Sequence, residues 1–127
     1  MKTTLILFLS AALMVITARA QDKVTHPAPP KPLTAEYTIY SGWLGEEMAP
    51  TPGDRKLSIE VTGQGAKDIF ESIGPDVPGV SCTGDERERL RRKGRVWCAH
   101  SPTDGGRYKC YLGFNLRTGE SIAGGSC

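Results

Sequence analysis

Residues 56–62 (KLSIEVT) alternate strictly. Leu57, Ile59 and Val61 fall on one side, and Lys56, Ser58, Glu60 and Thr62 on the other. Successive side chains of a strand point to opposite faces, so this stretch predicts a half-buried β-strand. The period then changes. Gly63-Gln64-Gly65 predicts a turn, after which Ala66, Ile69, Phe70 and Ile73 recur at three- and four-residue spacing. That is one face of an amphipathic helix. Gly74-Pro75 predicts its end, because glycine accepts a left-handed cap and proline cannot continue a helix. Phe70 and Ile73 are expected to pack on the Leu57, Ile59 and Val61 face.

Residues 35–43, with Tyr37, Ile39 and Tyr40, predict an earlier strand, and the turn-rich residues 45–54 (GEEMAPTPGD) a loop. Residues 84–94 (GDERERLRRKG) carry Leu90 as their single large apolar side chain. They predict a short exposed helix from Asp85 to Gly94. Acidic residues lead and basic residues follow, which suits the helix dipole, and Glu86–Arg89 and Glu88–Arg92 have supporting spacings. Residues 95–100 (RVWCAH) predict a strand, and residues 101–106 (SPTDGG) a tight turn. Residues 107–116 predict the returning strand. Tyr108, Cys110, Leu112 and Phe114 share one face, and Arg107, Lys109, Tyr111 and Asn115 the other. A second turn at 117–119 and a last short strand at 120–123 complete the pattern. The expected fold is α+β: a small single domain with an antiparallel sheet, one packed amphipathic helix and a disulfide-stapled C-terminal hairpin.

The N-terminus has a different character. Lys2 precedes a continuous apolar run, residues 5–16, broken only by Ser10, and Ala18-Arg19-Ala20 places small residues where a signal peptidase reads. The run is shorter than the roughly 20 apolar residues of a membrane span. Residues 1–20 therefore read as a signal peptide and Gln21 as the mature N-terminus. Pro27, Pro29, Pro30 and Pro32 make residues 21–33 an extended, proline-rich lead-in. Residues 34–127 are left as one domain with a modest core.

Export gives the four cysteines a meaning. Cys82, Cys98, Cys110 and Cys127 all lie in the last third of the chain, and thiols in an oxidising compartment pair. Three pairings are open. The preferred one joins neighbours, Cys82–Cys98 and Cys110–Cys127. Its main rival places Cys98–Cys110 across the hairpin with Cys82–Cys127 as companion. The alternative of metal binding is poorly supplied, because Cys98-Ala99-His100 is the only close Cys/His pair and further ligands would have to come from Cys110 or the remote His26. No metal or other cofactor is expected.

Charge sharpens the picture. The full chain has 16 basic and 14 acidic residues, but Lys2 and Arg19 leave with the signal, so the mature chain is balanced. Residues 21–80 hold five basic and nine acidic side chains, and residues 81–127 nine basic and five acidic. Arg87, Arg89, Arg91, Arg92, Lys93 and Arg95 form the densest cationic cluster, with Trp97 and Tyr111 beside it. Arg, Trp and Tyr are the residues enriched at interface hot spots. Catalytic motifs are missing: there is no Gly-x-Ser-x-Gly and no His-Glu-x-x-His. Glu46-Glu47 and Asp85, Glu86 and Glu88 fall in stretches expected to be solvated. The expected function is a non-enzymatic binding protein, periplasmic or secreted, of the inhibitor or immunity type. Its Arg-rich loop and hairpin would meet an acidic protein or glycan surface. Nucleic acid is disfavoured by export and by the zero net charge, no membrane span remains after signal cleavage, and the oligomeric state is open. The alternative is a small envelope enzyme or metal-binding protein using His100 and surface carboxylates.

Overall fold

A computed structural model describes residues 28–127. The expected signal peptide and residues 21–27 of the lead-in lie outside the described residues. The elements run β1 (Thr34–Trp43), β2 (Glu46–Met48), β3 (Lys56–Thr62), α1 (Gly63–Ser72), β4 (Arg89–Lys93), β5 (Val96–Ser101), β6 (Arg107–Asn115) and β7 (Ser121–Ile122). They form one antiparallel sheet in the order β2-β1-β3-β6-β5-β4, with β7 added on β6. The expected α+β domain is therefore present: a seven-stranded antiparallel sheet with one helix.

The strict alternation of β3 becomes the centre of the sheet. Leu57 pairs with Ile39 and Phe114, Ile59 with Tyr37 and Leu112, and Val61 with Ala35 and Cys110. All of these share the face on which α1 lies. Helix and strand join without a loop: Gly63 turns the chain at φ +66° and is already the first helical residue, where a separate turn was expected. Ala66 and Phe70 are buried against Val61, Cys98 and Cys110, with Ile59, Ile69, Ile73, Tyr108 and Leu112 packed around them. Leu57 lies outside this cluster, so the helix sits over one end of β3 and not its whole apolar side. The amide of Ile73 closes the helix on the carbonyls of Ile69 and Phe70. Gly74 is not in the left-handed region, and the Gly74–Pro75 peptide is cis.

Geometry explains why coverage is partial. An α-helix with its side chains is about 10 Å across, whereas six strands roughly 4.8 Å apart span about 24 Å. One helix cannot cover this face. It covers β3, β6 and β5, and leaves the apolar side chains of β1 uncovered.

Two expectations are corrected. Residues 89–93 form a strand and not part of a helix. In a helix Leu90 has no apolar neighbours to make a stripe. In β4, opposite Ala99 of β5, it becomes fully buried, so tertiary pairing overrides the charge pattern. A two-residue turn opened by Gly94 at φ +58° joins β4 to β5. Within the expected loop, residues 46–48 form the short strand β2 on residues 41–43.

The preferred cysteine pairing is also corrected. The disulfides are Cys98–Cys110 and Cys82–Cys127. Cys98 and Cys110 are directly opposite in the β5–β6 register, with Cα atoms 4.0 Å apart, and both are fully buried under Phe70 and Ala66. Neighbour pairing would have to pull each of them out of the sheet. Cys82–Cys127 ties the C-terminal tail across the opposite face. There Ser58 Oγ donates to the Gly124 carbonyl and Trp97 Nε1 donates to the Gly125 carbonyl at 3.2 Å. A Cβ on Gly113 would strike Ala123, and one on Gly124 would strike Leu112. These two glycines let the tail backbone lie directly on β6.

Candidate interaction surface

The sequence nominated the cationic cluster, and the structure divides it. Arg89 and Arg91 point to the helix face of β4, two residues apart. Asp76, just past the helix, accepts from Arg89 Nε at 2.7 Å and from Arg91 Nε at 2.6 Å. Arg91 also donates to the Phe70 carbonyl at 2.9 Å and lies 4.3 Å over the Phe70 ring. Its side chain is only 16% exposed. Hydrogen bonds from Arg89 and then Arg91 hold the Asp76 carboxyl down at about 2. The two arginines thus form a clamp over the aromatic core that shares the single Asp76 carboxylate, with Arg91 largely buried and Arg89 45% exposed.

Arg87 is exposed but bound to Asp85, through its Nη2 at 3.0 Å and through its backbone amide at 2.9 Å. That side-chain contact lowers the Asp85 carboxyl and raises the Arg87 guanidinium. Arg92, Lys93 and Arg95 remain. They surround the β4–β5 turn, all exposed, and make no ion pair among the described residues.

Trp97 and Tyr111 lie on the opposite face, stacked at 4.3 Å between ring centroids. Trp97 is buried and the Gly125 backbone covers the pair. Burial, with the Glu60 carboxylate nearby, pushes the Tyr111 hydroxyl up to about 12. The two aromatics fasten the tail, and Trp97, although buried, is the direct cross-strand partner of Arg92.

Glu88, expected to be solvated, is only 8% exposed. Its Oε2 accepts from Ser81 Oγ at 2.7 Å, the Cys82 amide at 2.6 Å and the Thr83 amide at 3.0 Å. Burial alone would raise its pKa, but these bonds together lower it. Glu88 therefore organises the loop that carries Cys82. His100 packs against Tyr108 at 4.4 Å, and its Nδ1 is buried without a hydrogen-bond partner. Cys98 and Cys110 are oxidised and offer no thiolate, and no group of three or more potential ligands gathers among the described residues.

Sequence reasoning missed the roles of three residues. Asp76 and Glu88 act through partners at the ends of loops, for which no local pattern exists. Tyr37 looked like any strand aromatic, yet it is 73% exposed. It belongs to an apolar surface with Leu33, Ile39 and Leu116. No protein family, no curated protein and no solved structure matches this chain.

Proposed function

We propose that the chain is an exported, non-enzymatic binding protein of the inhibitor or immunity type. It meets an acidic protein or glycan surface outside the cytoplasm through the tip of the β4–β5 hairpin. The observation that carries this is the sorting of the cations. Arg89 and Arg91 are engaged by Asp76, and Arg87 by Asp85, while Arg92, Lys93 and Arg95 stand exposed around one tight turn. The turn is a rigid platform, because β5 is paired with β6 along its length and joined to it by Cys98–Cys110. A preorganised cationic tip loses little conformational freedom on binding and steers acidic partners over a Debye length of about 8 Å.

Export is supported by the N-terminal segment and by four cysteines all held in disulfides. No helix among the described residues is long and apolar enough to cross a membrane.

Chromatography on an immobilised sulfated polysaccharide tests the tip as a polyanion contact. The combined variant Arg92→Glu, Lys93→Glu, Arg95→Glu is expected to elute at clearly lower salt than the parent with an unchanged melting temperature. Capture of an acidic partner from an envelope extract should be lost in the same variant. Retention and capture that survive this reversal would remove the tip from the function.

A further inference from the structure

We propose that the free edge of β1 is a homodimer interface, at which two copies of the chain pair β1 with β1 across a two-fold axis at Tyr37. Residues 34–40 of β1 pair with β3 along one edge, and β2 pairs only with residues 41–43. The other edge of residues 34–40 meets no strand among the described residues, and residues 34–39 are all exposed. Alternate amides and carbonyls along this edge point away from β3 and await a partner.

The β4 edge and the open part of the β1 edge are treated differently. At β4, four of five residues are Arg or Lys. The Val77 amide bonds the Leu90 carbonyl at 2.7 Å, and Asp76 bridges to Arg91. Charge and a covering segment are the usual protections of a sheet edge. β1 has neither. Its ten residues (TAEYTIYSGW) hold one charge, Glu36, and no proline. Beside the edge lies an apolar trough of about 470 Å³ lined by Leu33, Tyr37, Ile39, Leu57, Ile59 and Leu116 among others. An open edge with a single charge, next to exposed apolar side chains, marks a site of strand addition.

The register selects the occupant. An antiparallel strand can pair with its own copy only about a two-fold axis, which makes the contact isologous. The exposed stretch, residues 34–39, is centred between Glu36 and Tyr37, with Tyr40 beyond it buried, so pairing along most of its length places the axis at one of these two residues, and Tyr37 is the one that keeps like charges apart. Tyr37 then faces Tyr37 of the second copy, and Ala35 faces Ile39, all on the apolar face. On the other face Thr34 meets Tyr40, and Glu36 meets Thr38. The only charge in the stretch thus avoids its own kind. An axis one residue earlier would set two Glu36 carboxylates directly opposite each other, which is destabilising. With the axis at Tyr37 the strand is self-complementary in apolar pattern and in charge.

Sedimentation velocity of the oxidised protein, expressed through its own N-terminal segment, tests this over low to high micromolar concentration. A reversible monomer–dimer equilibrium is expected. Tyr37→Lys places like charges opposite each other at the axis and should weaken it at least about tenfold. Tyr37→Phe should preserve it. Tyr37 is largely exposed, so the melting temperature of the dilute Lys variant should equal that of the dilute parent. A chain that stays monomeric at every concentration overturns the proposal, including one that binds a foreign extended peptide at this edge. A dimer insensitive to Tyr37→Lys overturns it equally.

Discussion

The two ends of one β-sheet are built to opposite plans. At the β5–β4 end, the helix, a buried disulfide and a pair of arginines bound to Asp76 close over Phe70. At the β1 end the same face carries Tyr37, Ile39, Leu33 and Leu116 in contact with water. Both ends have apolar strand residues, so hydrophobicity alone does not decide what becomes core. Reach decides it: one ten-residue helix, about 15 Å long, covers the strands it lies on and no more. The difference separates residues that hold the fold from residues left available for contact.

The largest test of that separation compares Phe70→Ala with Ile39→Ala. Both remove apolar side chains from the same face. Truncating Phe70 should cost about 3–5 kcal/mol in chemical denaturation, since it opens the core and removes the surface on which both arginines rest. Truncating Ile39 at the open end should cost about 1 kcal/mol or less. Equal losses would mean that the β1 end is as much part of the core as the helix-covered end.

The disulfides differ in a related way. In the chain-entropy account, closing 12 residues with Cys98–Cys110 contributes about 3 kcal/mol, and closing 45 residues with Cys82–Cys127 about 4 kcal/mol. Their structural roles are distinct. Replacing Cys82 and Cys127 by Ser should free the tail and expose the Trp97–Tyr111 stack, seen as a red shift of native-state tryptophan fluorescence. Replacing Cys98 and Cys110 by Ala should lower stability by about 3 kcal/mol or more, with the native emission maximum unchanged. A red shift in the second variant and not the first would reverse the assignment.

The smallest of these effects concerns the clamp. The Asp76 carboxyl sits at about 2, below its ordinary 3.8. A depressed carboxyl contributes stability that is present above its unfolded value and lost as pH falls toward its folded value. The parent should therefore lose stability between about pH 4 and pH 2 through this group. Asp76→Asn should start less stable at neutral pH and show a flatter acid limb in that window. Parallel acid limbs in the two proteins would show that Asp76 does not bind the arginines in solution.

Much of the fold was legible because it rests on period. The alternation of Lys56–Thr62, the helical spacing of Ala66, Ile69, Phe70 and Ile73, and the Cys110-containing strand all follow from side-chain direction. β4 was not legible: its one apolar residue, Leu90, becomes buried only through β5. The cysteine pairing followed register, which sequence spacing left open among three pairings. The cationic site was half legible. Composition located the cluster, but whether an arginine is available depends on Asp76, thirteen residues from Arg89 and fifteen from Arg91. Nothing in the sequence marked the β1 face as uncovered, since an exposed and a buried strand face share the same alternation.

Amide hydrogen exchange at two protein concentrations tests the contrast between the two ends most directly. The amides of β5 and β6 should be strongly protected at both concentrations. Within residues 34–40 of β1, the amides directed toward β3 should behave likewise. The alternate, outward amides should exchange rapidly in dilute solution and gain protection at high concentration. Uniform, concentration-independent protection across β1 would contradict the account, because the edge would then be closed within a single chain.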